Sequence, residues 1–252
     1  MSRATWQALA LPASLVVLAE LAMRTAHVQS DVIAPPSAVV VAAWDALKDG
    51  TLRRATFETL GAALGGVLLG GLSGLALGIW FGLSRSAARL GAMSIEIFRP
   101  IPAVALMPIA MLVFGFGYRM EIATVGFACF WPVLLLTQAA VANVEPRLLE
   151  VARVLSLSPW RRVWSIVLPA ALPRILVAFR LATGVALVVA VTVEIATNPF
   201  GLGYEMMNAS QNLQPALTLA LLVWVGLLGW SCNALMSAVE RHGLRRFSGV
   251  RP

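Results

Sequence analysis

The side chains able to do chemistry are few, and their spacing excludes most of it. Histidine occurs only at His27 and His242, which the topology derived below puts on opposite sides of a membrane. Cys129 and Cys232 both fall inside apolar runs, with neither disulfide nor metal-ligand spacing, so they read as small packing residues. No glycine-rich phosphate loop with its lysine is present, so nucleotide hydrolysis would belong to another chain. Neither a nucleophile with its base nor a metal set can be assembled. The chain alone is therefore not expected to be an enzyme or to bind a cofactor. Two features remain. Glu194 is an acidic residue near bilayer depth, and such residues are functional hypotheses by default. Glu150 and Arg153 stand in a short amphipathic stretch between apolar runs, where a soluble partner could meet them.

The elements that must position these residues are membrane spans. Of 252 residues, 59% are hydrophobic and 12% charged, whereas a soluble domain carries roughly a quarter charged residues. Thr59–Ser84, Ile122–Val144 and Met206–Val239 contain no charge, and a crossing helix needs about 20 apolar residues. Backbone polar groups in lipid must be satisfied within the segment, so the spans are helices; the period-two pattern of a membrane barrel is absent. The expected fold class is all-α: a polytopic membrane protein with six transmembrane helices, at roughly 8–24, 57–83, 101–117, 121–142, 176–196 and 215–238. Met1–Met23 has the basic start and apolar run of a signal peptide, but no small-x-small cleavage site follows, so a retained first span is expected.

The net charge of +7 reads as the positive-inside rule rather than as nucleic-acid binding, because the charges sit in short loops between spans. With the N-terminus in the cytoplasm, inside segments hold Arg3, Arg85, Arg89, Arg99, Arg147, Arg153, Arg161, Arg162, Arg174, Arg180 and the tail arginines Arg241, Arg245, Arg246 and Arg251. Outside segments hold Arg24, Lys48, Arg53, Arg54 and Arg119. Both termini and the loop after span four are thus expected in the cytoplasm. Between spans one and two, Pro35-Pro36 bars helix upstream and Ser37 could cap a short helix with Val40, Val41, Trp44 and Leu47 on one face. That stretch is either an interfacial helix or a plain connector. Span two carries a glycine ladder, Gly66, Gly70, Gly74, Gly78 and Gly82, with Gly61 and Gly65 before it. Residues four apart share a face, so a neighbouring backbone can approach closely, within the subunit or between two copies.

Residues 143–175 form the informative loop. Leu148, Val151, Ala152 and Leu155 repeat at three and four and predict a short amphipathic helix. Ser158-Pro159 marks a second helix start, Ser158 as N-cap and Pro159 at the first helical position. Trp160, Val163, Trp164 and Val167 continue its apolar face, and Pro169 and Pro173 are expected to close it before span five. Two short helices joined by a turn offer a compact knob to a soluble partner.

This loop resembles the cytoplasmic motif of permease subunits of binding-protein-dependent ABC importers: Glu-Ala-Ala, three residues, Gly, nine residues, Ile-x-Leu-Pro. The chain has Glu150-Val151-Ala152, then Ser156, then Ile166-Val167-Leu168-Pro169, with every interval kept. Val151 replaces the middle alanine and Ser156 the glycine. A left-handed turn at Ser156 would be strained, which leaves a differently shaped turn open. Arg99-Pro100-Ile101-Pro102 with Pro108 and Phe114-Gly115-Phe116-Gly117 resembles the third span of the subgroup importing nitrate, taurine and alkanesulfonates. Asp31–Ser37, and Glu194 followed by Gly201-Leu202-Gly203, match that subgroup after span one and at the outer end of span five.

The resemblance implies the type I importer permease fold in a bacterial inner membrane. It implies a homodimer of this chain, two ATPase subunits that bind ATP and Mg, and a periplasmic substrate-binding protein delivering a small anionic solute. Residues 1–56 would be a first helix and periplasmic connector, 57–240 the permease core, and 241–252 a basic tail. Glu150, Arg153 and Ser158 would be polar contacts and Val151, Ala152, Leu155 and Trp160 packing contacts to the ATPase; alternatively Glu150 and Arg153 merely solvate the helix. Glu194, with Gly201 and Gly203, would gate the outer mouth, or would make a structural hydrogen bond near the interface. Glu20 is expected to face protein or snorkel outward, and Asn208, Ser210, Gln211 and Asn212 to form a polar outer loop open to the binding protein. The rival reading, a secondary active transporter, would need inverted repeats and midplane ionisable groups, for which only Glu194 is a candidate.

Overall fold

The computed structural model describes residues 3–25 and 32–247, without side chains at 3–9, 12, 13 and 242–247. His27, Asp31 and Arg251, and the side chains of Arg3, His242, Arg245 and Arg246, lie outside the described residues. Helices α1 (Arg3–Thr25), α2 (Pro36–Lys48) and α3 (Thr51–Leu83) come first, then α4 (Arg85–Phe98). A 3-10 turn (Ala103–Leu106) leads into α5 (Met107–Phe114), followed by α6 (Tyr118–Ala142) and α7 (Pro146–Val154). A single turn, α8 (Pro159–Arg162), runs through a widened π turn (Val163–Val167) into α9 (Leu168–Ala196), and α10 (Leu202–Gln211) and α11 (Pro215–Phe247) finish the chain. No strand occurs among the described residues.

Close approach of backbones organises the centre. The glycine ladder of α3 lies along α6: a Cβ on Gly66 would strike Val125, on Gly70 the Gly126 carbonyl, on Gly74 the Phe130 carbonyl, and on Gly78 the Leu134 carbonyl and Thr137. The open choice between an internal seam and a seam between copies thus falls to α6 of the same chain. α9 presents a matching stripe of small residues, Ala178, Ala182, Ala186 and Ala190, each fully buried. Ala63, Val67, Val125, Cys129 and Val133 meet this stripe and complete the core. Cys129 Sγ donates to the Ala182 carbonyl at 3.4 Å, a packing role for a small side chain. Dispersion contact, not expulsion of water, holds helices together in lipid, so small residues that let backbones touch do the joining.

Among the described residues, four helices are long and apolar enough to cross a membrane: Thr51–Leu83, Tyr118–Ala142, Pro159–Ala196 and Pro215–Arg241. The expected third span, 101–117, is not a straight helix. α4 and the segment Ala103–Phe114 are apolar enough for a crossing only as a pair, bent by 81°, as a broken span or a re-entrant loop. Pro100 and Pro102 supply no N–H to extend the α4 ladder, so the helix ends at Phe98 and the chain turns there, although Arg99 itself keeps helical angles. Arg99, expected in an inside segment, stands at this bend and lines a cleft with the middle turns of α6. Pro169 and Pro173 do not close a helix either. The chain is helical without interruption from Pro159 to Ala196, because the π turn just before Pro169 absorbs the hydrogen-bonding mismatch that a proline creates.

Two outer elements brace this centre. α2 is a helix rather than a plain connector, but it starts at Pro36 with Pro35 at the cap position and no side-chain cap. Ser37 lies inside its first turn, where its N–H and hydroxyl donate to the Glu20 carboxylate at 2.9 and 2.7 Å. Glu20 therefore faces protein and also accepts from Arg24 at 2.6 Å. Ala46 of α2 packs with Leu52, Leu202, Ala209 and Leu221, while Trp44 stays exposed beneath Lys48. Asn208, Ser210 and Gln211 belong to helix α10 and only Asn212 follows it, so the expected polar loop is largely helical.

Candidate functional site

At one end of the bundle, α7 and α8 build a protruding knob. Pro146 at the first helical position starts α7, whose last turn closes with Ser156 in the left-handed conformation at φ +49°. Leu157 N–H donates to the Ala152 carbonyl and Ser156 N–H to the Arg153 carbonyl, both at 3.0 Å. This is the paired Schellman closure that a glycine normally serves. The left-handed turn is kept, contrary to the different shape left open for it, and its two hydrogen bonds offset the strain of a non-glycine residue. Ser158 caps α8, its Oγ accepting from Arg161 N–H at 3.4 Å.

The knob has an inner and an outer face. Ala152 is 1% exposed, on the side where Val144, Val167 and Ala171 make a small core with Leu149. Val151, Leu155 and Trp160 are 51%, 62% and 71% exposed, with Trp160 packed edge-on against Trp164. Glu150 and Arg153 are exposed beside them. An apolar cluster flanked by opposite charges at the tip of a rigid projection suits a pocket in a partner.

At the opposite end a second arrangement ties the start of α10 to two helices, α3 and α9. Glu194 is 1% exposed and its Oε2 accepts from Gly203 N–H at 2.8 Å. Thr59 Oγ1 accepts from Leu202 N–H at 2.9 Å, and Glu58 from Gly201 N–H at 3.0 Å. Three successive N–H groups that open α10 are thus each held by a side chain from α3 or α9. Gly201 sits at φ +94°, and a Cβ there would collide with the Glu194 carboxyl; one on Gly203 would strike the Val191 carbonyl. The structure thus places Glu194, Gly201 and Gly203 together in a buried turn. Within α10, outside the spans, burial raises the Glu205 carboxyl above its ordinary range, and Arg54 opposes the shift.

Sequence reasoning missed Glu58 and Thr59, and also Glu121 and Asn198, in this cluster. Glu121 of α6, 1% exposed, accepts from Asn198 Nδ2 and adjoins the Glu194 carboxyl. Glu121 Oε1, Glu194 Oε1 and Asn198 Oδ1 have no protein donor. The available signal was an acidic residue at the very start of span four, in the first turn of α6. Its partner Asn198 is distant in sequence, and no local pattern announces the meeting. Arg180, assigned to an inside segment, projects from α9 to α11, donating to Asn233 at 2.9 Å and pairing with Glu240 at 3.3 Å.

A bundle of long apolar helices with a bent helix pair between α3 and α6 and a knob at the π turn fits a membrane permease. Residues 66–249 match the family of binding-protein-dependent transport system inner membrane components, and the chain belongs to that family. Among curated relatives, a protein of Escherichia coli (strain K12) named for aliphatic sulfonates transport, the permease protein SsuC, is 32% identical over 93% of this chain and 89% of its own length. The nitrate import permease protein NrtB of Leptolyngbya laminosa is 27% identical over 81% of this chain and 76% of its own. Among solved structures, an amino acid ABC transporter matches with a TM-score of 0.64 at 19% identity, over 79% of this chain and 97% of that one. The fold is that of ABC importer permeases.

Proposed function

We propose that this chain forms the translocation pathway of an ATP-driven importer for a small anionic solute of the sulfonate, taurine or nitrate kind. Two copies of the chain would pair in a bacterial inner membrane with both termini cytoplasmic. Two ATPase subunits carrying ATP and Mg would lie beneath, and a periplasmic binding protein would deliver the solute above. The observation that carries this reading is the exposed cluster Val151, Leu155 and Trp160 on a knob anchored by buried Ala152. Closure of the ATPase pair around ATP would push on this knob, with Glu150 and Arg153 fixing its register, and α9 would carry the motion into the bundle.

Purification of the intact complex tests the reading. An ATPase chain should co-isolate, its hydrolysis should rise on addition of the binding protein, and Glu150→Arg should uncouple hydrolysis from uptake. Uptake by this chain alone, driven by an ion gradient with no ATPase, would identify a secondary transporter and end the proposal.

A further inference from the structure

Irregular backbone at membrane depth is tolerated only where it is buried in protein or lines a cavity that can hold water or a ligand. The bend between α4 and α5 meets that condition. It borders a cleft of about 330 Å³ walled by Arg99, Phe127, Ala128, Trp131, Val185 and Val189. Phe127–Trp131 are the middle turns of the 25-residue α6, so Arg99 lines the cleft at the level of those turns. A cation at that depth is costly unless it is paired or faces a polar cavity. Among the described residues no carboxylate pairs with Arg99; the ion pairs fall at Arg24, Arg54 and Arg180. Trp131 supplies a second unmet group: its indole N–H is buried and has no acceptor. The ring itself is fixed by edge-on contacts with Phe127 and Phe130, at centroid distances of 5.6 and 4.8 Å.

Arg99, without a carboxylate partner among the described residues, and Trp131, whose N–H has no acceptor, line one cleft with aromatic and valine walls, the lining that suits a small oxyanion with a short apolar body. We infer that the Arg99–Trp131 cleft binds the oxyanion head of the transported solute, with Arg99 as its charge partner and the Trp131 N–H as its second donor. Phe127, Val185 and Val189 would cover an aliphatic tail. The inference rests on the proposed import of an anion and gives that import a site within the chain.

The test uses the full chain in nanodiscs, alone and with its ATPase, and ethanesulfonate as the probe. Wild type should bind the probe, and the complex should import it. Loss of one hydrogen bond to a charged group weakens binding about tenfold or more, so Arg99→Gln and Trp131→Phe should each lose at least that much, while Arg99→Lys, which keeps the cation, should recover most of it. If Arg99→Gln fails to assemble, Trp131→Phe, which keeps the ring, decides alone. Unchanged binding in Trp131→Phe or in an assembled Arg99→Gln overturns the site, as does Arg99→Lys proving as defective as Arg99→Gln. A wild-type chain that ignores ethanesulfonate overturns it too. A complex whose ATPase still answers the binding protein while these variants behave as wild type would leave the importer reading standing. Absence of any ATPase partner would remove that reading, and probe binding to the isolated chain would still judge the site.

Discussion

Glu194 Oε2 accepts the Gly203 N–H at 2.8 Å across a turn in which Gly201 has no room for a side chain, because the same carboxyl fills the space. The two glycines and the glutamate are one device, holding the first turn of α10 against α9. Glu194→Gln, which keeps an acceptor for Gly203, should leave thermal stability in detergent near wild type. Glu194→Ala strands a buried N–H and should cost about 1–3 kcal/mol. Gly201→Ala combines a collision with a left-handed φ and should cost about 1–3 kcal/mol from backbone strain alone. Thermal unfolding of the purified chain ranks the three, and equal stability across them would show that the turn is not held this way.

The α3–α6 seam depends on absent side chains. Gly70→Leu places bulk where the Gly126 carbonyl already lies, and the protein should fail to accumulate in membranes. Gly226→Ala on α11 is the control, since nothing lies within 4 Å of the added Cβ. Membrane-fraction immunoblots should show the first variant lost and the second at wild-type level.

Ser156 holds a left-handed φ that costs an ordinary L-residue about 1–2 kcal/mol. Ser156→Gly should relieve part of this and slow proteolysis of the α7–α8 knob. Ser156→Pro, which fixes φ near −65° and removes the N–H given to Arg153, should open the knob to protease. Limited proteolysis in detergent reads both.

The two faces of the knob should separate in mutation. Trp160→Ala and Val151→Asp alter exposed residues and should leave the melting temperature within a few degrees while ATPase co-isolation falls. Ala152→Leu forces bulk into a site only 1% exposed and should destabilise the knob by about 1–3 kcal/mol. Retained co-isolation in Trp160→Ala would move the partner surface elsewhere.

Span three escaped hydropathy. Arg85 and Arg89 make α4 amphipathic, so it resembles a loop in the sequence, while the apolar run from Ile101 looks continuous although its prolines break it. The long spans were legible because a bilayer imposes a length and forbids charge, and both constraints are local. The knob was legible because Ser158-Pro159 and the three-four repeat are local too. The Glu121–Asn198 contact was not, because it joins residues 77 positions apart and nothing in either neighbourhood encodes the other. The conformation at Ser156 was underdetermined for another reason: the propensity of one residue argued against a left-handed turn, and two backbone hydrogen bonds outweighed it.

The continuity from Pro159 to Ala196 has a mechanical consequence. An α-helix rises 1.5 Å per residue, so these 38 residues make a rod of about 57 Å. A tilt of about 5° at the knob end displaces the far tip by about 5 Å, close to one helical pitch. Glu194 sits within the last turn of that rod, so its grip on Gly203 would drag the opening of α10 along with it.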